Sequence, residues 1–108
     1  MEKIEFLKKN IFLNLENHNA DFKTDALFYF SEADFEIVLE RIEQFGIGIY
    51  RIEPRFEGTP IDPKSNEDYR KKATDPKWYK RAFFELKKQQ ADLQYSAIYR
   101  VSEKLLKR

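Results

Sequence analysis

The sequence predicts an α+β fold, a two-layer sandwich in which helices pack on a sheet of about three strands, in the order α-β-α-β-loop-α-β-α. Three observations predict it. Residues 30–53 read as a capped helix, a glycine stop and an apolar strand. Asp75-Pro76 opens a second capped helix. Residues 93–101 alternate apolar and polar side chains as a half-buried strand does. A doubly wound α/β arrangement is the second choice.

Residues 2–16 read as the first helix. Ile4, Leu7, Ile11 and Leu15 share one stripe, and Glu5 is placed to support Lys9 one turn on. Phe6 and Leu13 lie on the opposite face, so this helix is either sandwiched or a homodimer contact; a hairpin turning at residues 8–10 is the alternative. A polar loop with His18 follows, then a strand over residues 22–30.

The next unit carries the clearest local signals. Ser31 is an N-cap, Asp34 completes a capping-box pattern, and Phe30 and Phe35 are spaced as a hydrophobic staple. Phe35, Val38, Leu39, Ile42 and Phe45 form the apolar stripe. Gly46 is placed to end the helix in the left-handed conformation. In the following strand Ile47 and Ile49 point one way and Tyr50 and Ile52 the other, which predicts a central strand apolar on both faces. Strand, helix and strand in succession predict a parallel crossover or mixed pairing.

Residues 54–74 hold three prolines and one glycine with no sustained period. A connection of about twenty residues exceeds the common loop length in a compact domain and is usually functional or mobile. A short helical turn is expected over residues 67–72. In the second helix Asp75 is the N-cap and Pro76 the first residue. Tyr79, Ala82, Phe83, Leu86 and Gln90 share its inner face, Trp78 lies at the edge and Phe84 well off it. In the last strand Leu93, Tyr95, Ala97, Tyr99 and Val101 point inward, with Ile98 the exception on the outward side. Ser102 is placed to cap a short helical turn with Leu105 and Leu106.

The 108 residues fit one domain, 1–108, and 42% hydrophobic content is enough for a packed core. With no cysteine, disulfides, thiolate metal sites and a cysteine nucleophile are excluded. No apolar run approaches a membrane span and residues 1–10 lack a signal-peptide core, so a cytoplasmic location without membrane contact is expected. The formal charge is +1, but residues 1–63 hold 7 Lys/Arg against 13 Asp/Glu and residues 64–108 hold 13 against 6. The simplest expectation is that the acidic and basic helices lie together and compensate.

No serine sits in a G-x-S-x-G elbow, His18 is the only histidine, and the phosphate-binding glycine patterns and calcium-loop spacing are missing. Neither an enzyme nor a cofactor is expected. Glu53, Glu57 and Asp62 flank the strand end and its loop as the carboxylates that a paired-acid site would draw on, and Glu53 reads first as ordinary solvation or a salt bridge. Lys77, Lys80, Arg81, Lys87 and Lys88 with Trp78 and Tyr79 make the helix over 77–88 the candidate for a nucleic-acid surface. Protein binding has the broadest support, because Trp, Tyr and Arg anchor interfaces. The expected contact residues are Glu53, Arg55, Phe56, Asp62, Tyr69 and Trp78.

GIGIYRIE at 46–53, an irregular loop with Asp62, a helix with Ala82 and a strand with Tyr95-Ser96-Ala97 together resemble the layout of small immunity proteins of bacterial nuclease toxins, the colicin immunity proteins among them. That resemblance implies a cytoplasmic inhibitor that occupies a toxin's active site and catalyses nothing. Such inhibitors are often acidic, and the +1 charge departs from that.

Overall fold

The structure, a computed structural model, describes residues 1–18 and 28–107. It is α+β. Helices α1 (Lys3–Asn10), α2 (Glu32–Phe45), α3 (Pro76–Gln89) and α4 (Glu103–Leu106) accompany strands β1 (Gly48–Phe56), β2 (Thr59–Pro60), β3 (Lys64–Ser65) and β4 (Gln94–Arg100). No helix among the described residues is long and apolar enough to cross a membrane.

Each pairing between the named strands of the described residues includes β1. β1 pairs antiparallel with β4 from Gly48↔Arg100 to Arg55↔Gln94. A strand has two edges, so β2 and β3, which meet β1 at Arg55–Phe56 and Arg51–Ile52, take the other one. Phe30 forms an isolated antiparallel bridge to Tyr95 on the far edge of β4. Because β4 is itself antiparallel to β1, Phe30 runs parallel to β1 with β4 between them. The remainder of the strand expected over 22–30 falls mostly outside the described residues.

The capping signals act as their chemistry requires. The Asp34 N–H donates to Ser31 Oγ at 3.3 Å, and the Lys77 N–H donates to Asp75 Oδ1 at 2.9 Å. Gly46 ends α2 at φ 68°, in the left-handed region that costs other L-residues about 1–2 kcal/mol. Ser102 precedes α4, but its hydroxyl makes no capping bond.

α2 and α3 cover one face of the sheet as an antiparallel pair: Glu43 meets Lys80 near one end and Phe35 meets Phe83 further along. Phe35 is fully buried, stacked on Tyr95 at 5.2 Å and edge-on to Phe83 at 5.5 Å. Burying a side chain of this size stabilises the fold by about 1.5–3 kcal/mol. The acid-rich helix thus lies beside the base-rich one, as the charge distribution predicts.

Three expectations are corrected. The first helix stops at Asn10 and does not continue to residue 16. Phe6 and Leu7 are buried within the helix, and Ile11 and Phe12, which a straight helix would turn to different sides from Phe6, are buried beyond its end. A turn with Asn14 at φ 65° folds Ile11 and Phe12 inward. Phe6 meets Phe45 and Phe12 meets Phe28, Phe30 and Tyr99 in the chain's own core, whereas Leu13, the other residue of the second apolar side, is exposed. Residues 8–10 are helical and form no hairpin turn.

The expected alternation in β1 breaks at Tyr50. Ile49 faces Tyr99 whereas Arg51 faces Ile98, so Tyr50 is an extra residue, a β-bulge. Past it the pattern inverts: Ile49 and Ile52 are both buried, and Tyr50 is exposed.

The expected loop over 54–74 is paired in part, at Pro54–Phe56, Thr59–Pro60 and Lys64–Ser65. β1 continues through Pro54 to Phe56, and a two-residue turn at Glu57 (φ 49°) and Gly58 (φ 82°) leads into β2. In an extended chain a residue's N–H and C=O share an edge, and the Pro54 carbonyl accepts the Ile61 N–H at 2.9 Å. The bond Pro54 cannot donate is therefore lost toward the ribbon and not toward β4. From Ile52 to Arg55 is three steps, but their partners Lys64 and Pro60 are four apart. The ribbon bulges there and splits into β2 and β3. Residues 66–70 form consecutive hydrogen-bonded turns instead of a helix.

Gly48 fixes where the chain returns after this ribbon. A Cβ on it would lie 3.0 Å from the Ala73 carbonyl carbon and 3.1 Å from the Ala73 Cβ. Gly48→Ala is expected to lower unfolding free energy by about 1–3 kcal/mol, read as a lower urea midpoint. An unchanged midpoint would show that residues 72–74 shift without cost.

Candidate functional site

The face of the sheet away from α2 and α3 carries Arg51, Glu53 and Arg55 from β1, opposite Ile98, Ser96 and Gln94 of β4. The bulge brings Tyr50 out at its upper end. Tyr50 is 45% exposed and Ile98 41% exposed, two large apolar side chains on one surface. Beside them an open groove of about 630 Å³ is lined by Tyr50, Arg51, Pro63, Asn66, Asp68 and Ile98 among others. A second hollow of about 330 Å³ shares Tyr50 and Asn66 and runs to Lys72, Thr74 and Arg100. Tyr50 thus borders both hollows, with Arg51, Glu67 and Asp68 lining the first and Lys72 and Arg100 the second.

The rim is held by local hydrogen bonds. The Ser65 N–H donates to Asp68 Oδ2 at 2.9 Å, and the Asp68 N–H returns to Ser65 Oγ at 3.2 Å. The Asn66 N–H donates to the Tyr50 carbonyl at 3.1 Å, and Asn66 Nδ2 donates to the Lys71 carbonyl at 2.9 Å. A turn closed on itself this way presents its surface with little ordering entropy left to lose.

The six residues expected as contacts do not form one surface. Glu53 sits on the open face, where Arg51 Nη2 reaches its Oε1 at 3.4 Å. Asp62 is exposed in the break between β2 and β3. Neither lines the groove. Phe56 is half-buried against the core.

Arg55 is only 8% exposed and serves as an internal tie. Its Nε donates to Gln94 Oε1 at 2.7 Å, its Nη2 donates to the His18 carbonyl at 3.1 Å, and its guanidinium lies 3.8 Å from the Tyr29 ring centroid. The His18 N–H in turn donates to the Tyr29 carbonyl at 2.8 Å. Trp78 is 1% exposed, and its indole N–H donates to the Ala73 carbonyl at 3.3 Å. A side chain so enclosed cannot anchor a partner, so Trp78 leaves the contact set.

Tyr69 packs on Trp78 at 5.8 Å and donates its hydroxyl to Glu85 Oε1 at 2.6 Å. Burial, then the bond to Glu85 and its charge, pushes the Tyr69 hydroxyl up to about 12. Burial likewise raises Tyr79, Tyr95 and Tyr99, helped by the charge of Glu43 near Tyr79 and of Glu32 near Tyr95.

With Trp78 and Tyr79 buried, Phe84 is the exposed ring of α3, with Lys88 Nζ 5.0 Å from its centroid. Base stacking along 77–88 is left with this one platform. Among the described residues no group of three or more His, Cys, Asp or Glu is arranged to hold a metal ion.

Sequence reasoning missed Tyr50 and Asn66. Ile98 carried a signal, as the apolar exception on the outward side of its strand. Tyr50 carried none, because a bulge depends on the partner strand's register.

Two outcomes follow from these placements. Arg55→Ala is expected to lower stability by about 1.5–3 kcal/mol, the scale of lost charge-assisted hydrogen bonds, in a urea titration; unaltered stability would remove the internal-tie role. In an alkaline titration of tyrosinate absorbance, the folded chain should lag the guanidinium-unfolded chain. The raised Tyr69 pKa means its contribution to stability is intact below pH ~10 and lost as pH rises toward ~12. Tyr69→Phe should remove that part of the lag, and superimposed folded and unfolded curves would contradict the packing. Comparison of the chain with protein-family models, with curated proteins and with solved structures finds no match.

Proposed function

We propose that this chain is a small protein-binding domain that recognises its partner through the open sheet face around Tyr50, Arg51 and Ile98. The observation that carries this reading is the β-bulge, which turns a large aromatic out of the central strand beside Ile98 and over a groove with a hydrogen-bonded rim. Interfaces are built around such features: an apolar centre with aromatic and Arg anchors, enclosed by a polar rim. Burying Tyr50 and Ile98 against a partner would each contribute on the order of 1–3 kcal/mol.

In its sharper form the partner is a bacterial toxin whose active site this face occupies. That form rests on the sequence resemblance to immunity proteins, and the groove supports it only in offering a prepared surface. The nucleic-acid reading keeps the basic side chains of α3 but has Phe84 as its exposed ring.

The test is capture with the whole chain as bait, followed by calorimetry on the purified captured protein. Tyr50→Ala combined with Ile98→Ser should weaken the complex by roughly a hundredfold, about 2.7 kcal/mol, while leaving the bait's melting curve in place. A complex indifferent to both substitutions would sink the assignment of this face. Stoichiometric inhibition of a captured enzyme would support the sharper form. Affinity for RNA or DNA that falls steeply with salt would favour the other reading.

A further inference from the structure

The outward face of the α2–α3 pair has no part in the groove, which lies on the opposite face of the sheet. α2 carries five acids and one base, and α3 carries five bases and one acid. The two helices run antiparallel, so the charges form two neighbouring rows of opposite sign. Glu36 and Glu40 line one side of a shallow hollow of about 270 Å³, Lys80 and Lys87 the other, with Leu39 and Phe83 lining it between the rows. Lys80 is paired with Glu43, whereas Glu36, Glu40 and Lys87 make no ion pair among the described residues. Phe84 is 56% exposed at the same hollow, and Ile37 is exposed on α2.

We infer that this face is the contact between two copies of the chain, related by a two-fold axis that lies in the interface parallel to the helices. Such an axis sets α2 of one copy over α3 of the other and leaves positions along the helices unchanged. Glu43 pairs with Lys80, and counting along the antiparallel helices from that pair sets Glu40 at the level of Phe83 and Glu36 at the level of Lys87, all of which line the hollow. The acid row of each copy therefore meets the basic row of its mate in step, and Phe84 comes against the Ile37 and Glu40 level. An axis across the helices would set acids on acids and bases on bases. A surface divided into two matched rows of opposite sign is complementary to itself in that one orientation, which is the requirement for an isologous dimer.

The area sets the strength. Two 14-residue helices, each about 21 Å long and about 10 Å apart, offer a footprint of roughly 400 Å² per copy, about half that of a standard interface. The dimer is therefore weak, and more salt-sensitive than one held by apolar contact alone. The groove at Tyr50 stays open in it, so the dimer displays two grooves.

Sedimentation equilibrium of the full chain at low salt tests this. The wild type should show a monomer–dimer equilibrium below about 1 mM that weakens as salt is raised. E36K/E40K and K80E/K87E should each weaken self-association by roughly tenfold or more. An equimolar mixture of the two should recover a heterodimer near wild-type affinity, because each row again meets its opposite. Phe84→Ser, at a position more than half exposed, should weaken association without shifting the melting curve. A wild type monomeric throughout this range, or a folded mixture that fails to associate, would overturn the inference. If either charge-reversed variant unfolds, Phe84→Ser decides alone, and unchanged association overturns it.

Discussion

The Ala73 carbonyl is the point on which the architecture turns. It accepts the Ile49 N–H at 2.9 Å and the Trp78 indole N–H at 3.3 Å. One oxygen thereby joins the start of the central strand to the first turn of α3. Both bonds depend on the missing side chain at Gly48, since a Cβ there would meet Ala73 at 3.0–3.2 Å. Buried backbone carbonyls must find donors. Here the two donors come from the two elements that have to be brought together. Trp78 is buried because its ring closes this joint, which is why a tryptophan at the edge of the predicted helical face belongs to the core.

From that joint the chain's departures from regularity follow in order. β1 leaves the clamp, takes in one extra residue at Tyr50 and continues with its apolar alternation inverted. The bulge separates two tasks that a regular strand would confuse. Ile49 and Ile52 both reach the helices, and Tyr50 goes to the open face. The ribbon that follows supplies the groove's rim, and its break opposite Pro54 lies where β1 has no N–H to donate. Arg55 then ties the open face to His18 and Tyr29, using its charge for internal hydrogen bonds rather than recognition. The binding surface proposed here is made of residues that the core has no use for, next to residues it cannot spare.

The helix layer shows the same division in electrostatic form. The inner faces of α2 and α3 are aromatic and aliphatic and interlock with Tyr95. The outer faces carry nearly all of their charge, segregated by helix. Antiparallel packing sets the acidic row beside the basic one, which relieves the repulsion each helix would suffer alone. A neighbour of the same kind is the simplest surface to match it.

Local chemistry determined most of the elements. Ser31 and Asp75 with Pro76 start their helices, Gly46 stops one, and the alternation over 93–101 makes a strand, because each of these acts through bonds and periodicities within a few residues. The sequence also determined the opposition of charge between α2 and α3, and it showed Ile98 and Phe84 as apolar residues outside their expected faces. The tertiary structure alone decided where the first helix ends, since Phe6, Ile11 and Phe12 could all be buried only by leaving the helix. It alone paired the first part of the expected loop into a ribbon, since proline's effect depends on which edge its missing N–H faces. The candidate site was the least legible part. Arg55 and Trp78 are residue types that anchor interfaces, and here the core takes both. Tyr50 reads as an inward residue until β4 sets the register and pushes it out. Hydrogen bonding between strands distant in sequence decides which side chain a strand hides and which it shows, and no local pattern in the chain carries that information.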